Sequence, residues 1–212
     1  NIFLEMWEYS GGEKKEPAEH YLPETKVKDE GFVQPFAGGP HRYPNNPIAG
    51  VYNRMIDKAR DYIYITTPYL VLDERLIDNI TQAAQSGVDV KIIVPHIYDK
   101  WYVYMVNVSN YGRLIKSGVK IYEYTPGFIH AKNIISDDEC AVCGTINLDY
   151  RSLYLHYENG VFFSENQAVH DMKQDFLDTM EQSHCVTYEE WEKRPVMHKL
   201  IQWMLKIWSP LL

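Results

Sequence analysis

Cysteine is scarce in this chain, with three among 212 residues, an odd number. That argues against a disulfide scaffold and fits a reducing compartment. Long apolar runs are missing too. No stretch approaches the about 18 consecutive apolar residues that a bilayer-spanning helix needs, so no segment is expected to cross a membrane by itself. Cations are in deficit, Lys+Arg 21 against Asp+Glu 29, for a net charge of −8. Tight, sequence-independent binding to nucleic acid draws on an excess of cations facing phosphates. The balance speaks against that class, while leaving room for a small basic site in an acidic shell. The chain starts Asn1-Ile2-Phe3, without Met and without a charged-then-apolar leader, and so reads as a fragment or processed product.

What is present is ordinary for a globular protein: 45% hydrophobic and 24% charged residues, in a chain long enough for one well-packed domain. Residues 1–31 hold eight carboxylates and four lysines, and Ser10 to Pro17 is charged and Gly-dotted. Residues 1–33 therefore read as a linker or N-terminal extension, and 34–212 as a single domain. Turn residues continue through Ala37-Gly38-Gly39-Pro40 and Tyr43-Pro44-Asn45-Asn46-Pro47.

A regular alternation follows. A helix is expected over Pro47 to Ala59, then a β-branched and aromatic strand at Asp61 to Thr67. Asp73 can cap a helix with Leu76, Ile77, Ile80, Ala83 and Ala84 on one face, closed by Gly87. Strands at Val88–Val94 and Val119–Tyr124 bracket a helix over Trp101–Lys116, and shorter strands are expected near 129–136, 140–144 and 160–164. Helices fill the C-terminal end. This pattern predicts an α/β sandwich whose mixed sheet is largely parallel and flanked by helices. Cys140 and Cys143 show C-x-x-C spacing, yet on a strand they point to opposite faces and cannot jointly hold a metal.

The chemistry concentrates in Phe128 to Asp137. His130 and Lys132, two apart on an expected strand, leave the same face and offer an imidazole beside an ammonium, the pairing phosphoryl transfer uses. After a further strand, Gly144 allows close backbone approach, and Thr145 and Asn147 can donate hydrogen bonds to the same anion. A His-x-Lys pair alone means little. Here the whole pattern stands: His130, Lys132, Asp137, then Gly144-Thr145-Ile146-Asn147.

That pattern resembles the HKD motif of the phospholipase D superfamily. Asn147 to Ser152, Thr67-Pro68-Tyr69 with Asp73-Glu74, Ala84 to Val90 and Ser209-Pro210-Leu211-Leu212 resemble the C-terminal half of bacterial cardiolipin synthases. The resemblance implies a phospholipase D-like fold, a catalytic His130, and Lys132 as phosphate ligand. It implies Asp137 as a motif residue that mostly supports architecture, and Thr145, Asn147 and Gly144 at the phosphate pocket. Glu158 would orient the imidazole, and Arg151 would add a phosphate contact or pair with an acidic neighbour. Members use two such motifs, and this chain has one, because the other seven histidines lack a Lys two residues on. The second would come from a missing N-terminal half or from a homodimer mate.

The implied reaction makes cardiolipin from two phosphatidylglycerol molecules through a phosphohistidine, without metal or other cofactor. It would run at the cytoplasmic face of a bacterial cell membrane, the fragment itself being soluble. A dimeric phosphodiesterase, phospholipase D or nuclease of the same superfamily, and a non-catalytic headgroup-binding module, are the alternatives. Trp101 to Met105 could line an acyl-chain entrance or face a core, and Tyr124 and Phe128 flank the motif. At the C-terminus, Leu200, Trp203, Met204, Ile207, Trp208 and Leu211 form one helical stripe with Lys199, Gln202 and Lys206 off it. Such a stripe packs on protein or lies in a lipid headgroup layer.

Overall fold

The computed structural model describes residues 2–13, 17–21, 30–39 and 47–208. Its contacts cluster into two units, residues 1–30 and 31–212. In the first, helix α1 (Ile2–Tyr9) stacks Phe3 on Trp7, and the Trp7 indole donates to the Glu13 carbonyl at 3.1 Å; a short 3₁₀ turn covers Ala18–Tyr21.

The second unit begins with β1 (Phe32–Gly38), α2 (Pro47–Lys58), β2 (Tyr62–Thr66) and β3 (Leu70–Val71). Then come α3 (Glu74–Gln85), β4 (Asp89–Pro95), α4 (Trp101–Lys116) and β5 (Lys120–Tyr124). Next are β6 (Asn133–Ser136), β7 (Cys140–Gly144), β8 (Leu148–Asp149), a π-helical turn (Arg151–Leu155) and β9 (Glu158–Ser164). Helix α5 (Gln167–Glu181), β10 (Ser183–Cys185), α6 (Tyr188–Glu192) and α7 (Val196–Ile207) complete it.

Alternating side chains build two cores on one sheet. Ile63, Ile65, Ile92, Ile134 and Val142 point into a core shared with α2, α3 and α4. Their neighbours Tyr62, Tyr64, Ile93, Ile135 and Ala141 pack on the other face against Val169 and Phe176 of α5. Burial on both faces explains why these strands read as near-continuous apolar runs. Helix α3 starts and stops as its residues dictate: the Asp73 carboxylate accepts from the Leu76 amide at 2.7 Å, and Gly87 follows at φ +100.

The eight-stranded sheet has the order β1-β9-β7-β6-β2-β4-β5-β10. The α/β class, with a mixed sheet flanked by helices, is the expected one, but the parallel share is smaller. Among the described residues of this eight-stranded sheet only β2–β4 and β4–β5 run parallel, and its other pairings are antiparallel. Between β5 and β9 the links carry no α-helix, and β6 turns into β7 through residues 137–139, which forces antiparallel pairing.

Strand β1 is a second departure, on residues read as linker end and turn. It pairs along its whole length with β9, from Phe32 opposite Ser164 to Gly38 opposite Glu158. As an edge strand it tolerates Pro35, which masks its sequence signal. The turn residues 40–46 and the terminal Ser209-Pro210-Leu211-Leu212 lie outside the described residues. No helix among the described residues is long and apolar enough to cross a membrane.

Candidate functional site

His130 and Lys132 occupy the extended run that leads into β6, which itself begins only at Asn133. Their environments differ. Lys132 is 8% exposed, while His130 lies at the surface. The Lys132 ammonium donates to the carbonyl of His130 at 2.5 Å and forms no ion pair with any described residue. Burial holds its pKa below the ordinary lysine value, against the opposing fields of Glu158 and Asp149. A buried ammonium whose partner is one neutral carbonyl has donors to spare. The imidazole of His130, whose ring centroid is 5.6 Å from that of Phe128, is also shifted down. Partial burial is the largest cause; Lys132 and Lys100 add to it and Asp99 opposes it.

The Gly-Thr-x-Asn segment approaches Lys132 from β7. Gly144 is required by protein rather than by a ligand: a Cβ there would stand 2.4 Å from the Asn159 carbonyl oxygen and 2.7 Å from the Cα of Gly160 on β9. Its amide donates to the Lys132 carbonyl at 3.3 Å. The Asn147 side chain donates to Asp149, leaving its own Oδ1 buried without a partner. Asp149 is itself buried, which raises its pKa, while donors from Ser152 and Asn147 oppose that.

The resemblance assigns Glu158 to the imidazole, and the structure places it elsewhere. The hydroxyls of Thr145 and Ser152 both donate to the Glu158 carboxylate, Ser152 at 2.9 Å, and no hydrogen bond joins it to His130. The π-helical turn is responsible: it begins right after β8 and swings Ser152 over β9, while the Ser152 amide donates to Asp149 at 2.7 Å. Ser152 and Asp149 are thus members of the cluster that their residue types alone do not announce.

Asp137 stands apart. It follows β6, and its carboxylate accepts from the amides of Arg60 (2.8 Å), Asp61 (3.0 Å) and Tyr62 (2.8 Å). All its acceptor capacity visible here goes into fixing the entry to β2. Arg151 is exposed and lines a cavity of about 100 Å³ with Tyr69, Lys100 and Asp149. Tyr69 belongs to the site as well, its hydroxyl donating to Asp99 at 2.6 Å beneath the Lys100 ammonium.

The small parallel sheet β3–β8 brings Thr67-Pro68-Tyr69 beside Asn147 to Asp149, with the Leu148 amide donating to the Thr67 hydroxyl at 3.2 Å. Asn107 and Asn110 of α4 satisfy the free backbone of Leu70 and so anchor that sheet. A larger cavity of about 590 Å³ lies around α2 and Asp137 and includes neither His130 nor Lys132. It is lined by residues of β1, α2, β6, β7 and β9 and lies apart from the motif's histidine and lysine. Trp101 to Met105 is divided: Val103 is buried and Trp101 is exposed. Cys140 is partly buried, its thiol pushed up to about 11 by burial, and Cys143 is exposed. Among the described residues no group of three or more His, Cys, Asp or Glu side chains is placed to hold a metal.

Comparison with known proteins identifies the family and the fold. The family profile "cardiolipin synthase, PLD-like domain" matches residues 52–180. An uncharacterized protein of Streptococcus mutans is 41% identical over all of this chain and 46% of its own length. A cardiolipin synthase of Geobacillus kaustophilus is 35% identical over all of this chain and 42% of its own. The chain therefore spans less than half the length of the curated relatives it matches. Among solved structures, the phosphatidylserine synthase of Haemophilus influenzae superposes with a TM-score of 0.70 at 19% identity, over 89% of this chain and 49% of that one. The phospholipase D family member Nuc of Salmonella typhimurium does so with 0.63 at 19% identity, over 74% of this chain and 99% of that one. At such identity these two speak for the fold alone. The chain belongs to the cardiolipin synthase, phospholipase D-like domain family.

Proposed function

We propose that this chain supplies one histidine–lysine half of a phosphatidyl-transfer site that makes cardiolipin from two phosphatidylglycerol molecules at a membrane surface. The observation that carries this reading is Lys132, a buried ammonium whose partner is one backbone carbonyl, beside a surface imidazole held towards its neutral form. An anionic phosphodiester oxygen satisfies the spare donors of Lys132. The Thr145–Glu158–Ser152 hydrogen bonds hold the surrounding wall.

Two imidazoles divide the work. One attacks phosphorus and breaks its bond to the glycerol oxygen, and the other gives that oxygen its proton. The phosphatidyl group then rests on histidine. A hydroxyl of a second phosphatidylglycerol loses its proton to the other imidazole, attacks phosphorus and releases the histidine nitrogen. His130 provides one imidazole. The other comes from the N-terminal half of a longer chain, as the share of its relatives that this chain covers suggests, or from a second copy. The lowered pKa of His130 favours the neutral ring needed both for attack and for deprotonation.

Vesicles of phosphatidylglycerol labelled in its acyl chains test this, with His130→Ala as control. Cardiolipin or phosphatidic acid formed by the unaltered chain alone, or with an N-terminal half added, and lost in the variant, supports the reading. Absence of product under both conditions overturns it in favour of a headgroup-binding module. Cleavage of a nucleic-acid phosphodiester without lipid turnover overturns it in favour of a nuclease.

A further inference from the structure

Helix α7 is docked through Gln202 and Leu205 and not through its apolar stripe. Gln202, 3% exposed, is its buried residue; its amide accepts from the Arg194 guanidinium at 2.8 Å and points towards the Met105 sulfur of α4. Leu205 packs nearby on Val103 and Val106 of α4. The apolar stripe is turned outward: Leu200, Trp203, Met204, Ile207 and Trp208 are each more than half exposed, and Val196 and Met197 extend it by a turn. So much contiguous apolar surface on one helix marks a docking face.

We infer that this face lies in the headgroup layer of an anionic bilayer and holds the His130–Lys132 site at the membrane. The inference rests on the reading above and adds where the lipid surface is met. Charge selects the occupant. The chain as a whole carries −8, yet residues 193–212 contain Lys193, Arg194, Lys199 and Lys206 and no carboxylate. Lys199 and Lys206 are exposed and flank the stripe on one side of the helix. Two tryptophans with lysines at the edge of an apolar face suit the boundary between headgroups and acyl chains.

Position agrees. Leu205 shares its packing cluster with Tyr69 and Tyr102, and those residues also wall the small cavity that holds Lys100, Asp149 and Arg151. The inner side of α7, opposite the stripe, is therefore packed on the wall of that cavity.

Flotation of the full 212-residue chain with vesicles tests the inference. Binding to phosphatidylglycerol-containing vesicles, weak binding to pure phosphatidylcholine, and loss on raising salt are expected. Trp203→Glu with Trp208→Glu should weaken binding about tenfold or more. Both side chains are exposed, so an unchanged circular dichroism melt confirms that this variant folds. Lipids brominated in their acyl chains should quench the fluorescence of the parent, and quenching should fall in Trp203→Phe with Trp208→Phe while flotation persists. Unchanged flotation of the double Glu variant overturns the inference. So does failure of the parent to float while it self-associates through this face, seen as dimers that the double Glu variant abolishes. His130→Ala should float like the parent, so loss of turnover with intact flotation bears on the catalytic reading and not on this one.

Discussion

Replacing Asp137 with Ala separates two roles that a motif carboxylate can have. In the structure it accepts three backbone amides, from Arg60, Asp61 and Tyr62. The Tyr62 bond is partly buried, and losing its acceptor costs about 1–3 kcal/mol. The Arg60 and Asp61 amides lie at the surface, where water replaces the carboxylate, so each costs about 0.5–1 kcal/mol. Alanine at φ +55 adds roughly 1 kcal/mol of backbone strain. The expected loss is about 4 kcal/mol, which for a domain of this size lowers the melting temperature by roughly 8–16 °C. Asp137→Asn keeps one oxygen for the Asp61 and Tyr62 amides and should lose only the Arg60 bond, about 0.5–1 kcal/mol. Asp137→Gly removes the strain and should melt above the Ala variant by a few degrees, on the order of 1 kcal/mol. Thermal melts followed by circular dichroism read all four chains. An Ala variant that melts within about 2 °C of the parent yet loses lipid turnover would refute the reasoning, because Asp137 would then act at the phosphate.

Two further outcomes follow from the site. Gly144→Ala drives a Cβ into the backbone of Asn159 and Gly160 and should cost about 2–3 kcal/mol in chemical denaturation. Gly160→Ala meets only the Phe36 and Ile146 side chains, at 2.8 and 3.0 Å, and should cost less. Lys132→Met removes a cation that disfavours the imidazolium, so the His130 midpoint, read from its ring protons by NMR, should rise towards the ordinary histidine value. If turnover requires neutral His130, the acid limb of the pH–rate profile lies below the usual histidine range. In residual activity of Lys132→Met that limb moves to higher pH; an unmoved limb assigns it to another group.

The central strands and helices were legible because their residues are buried on both faces and carry caps. Asp73 and Gly87 bracket α3 as their types dictate, and Gly118, at φ +98, follows α4. Strand β1 was hidden because an edge strand answers to one neighbour, so Pro35 and Gly38 can stand in it. The His, Lys and Asn of the motif were readable by spacing, but their partners were not. That Glu158 goes to Thr145 and Ser152 depends on a π-helical turn, and nothing in Arg151 to Leu155 distinguishes that turn from an ordinary one. Spacing also compresses the motif. A strand of four residues spans roughly 13 Å, so β6 separates Lys132, just before it, from Asp137, just after it, whose carboxylate ties down β2. The motif is therefore spread along β6, with its histidine and lysine before the strand and an anchoring carboxylate after it. By the same logic the stripe on α7 was visible in sequence while its direction was not. A stripe specifies that a face seeks an apolar or interfacial partner, and the packing of Gln202 and Leu205 on α4 shows that the stripe itself is turned away from that helix.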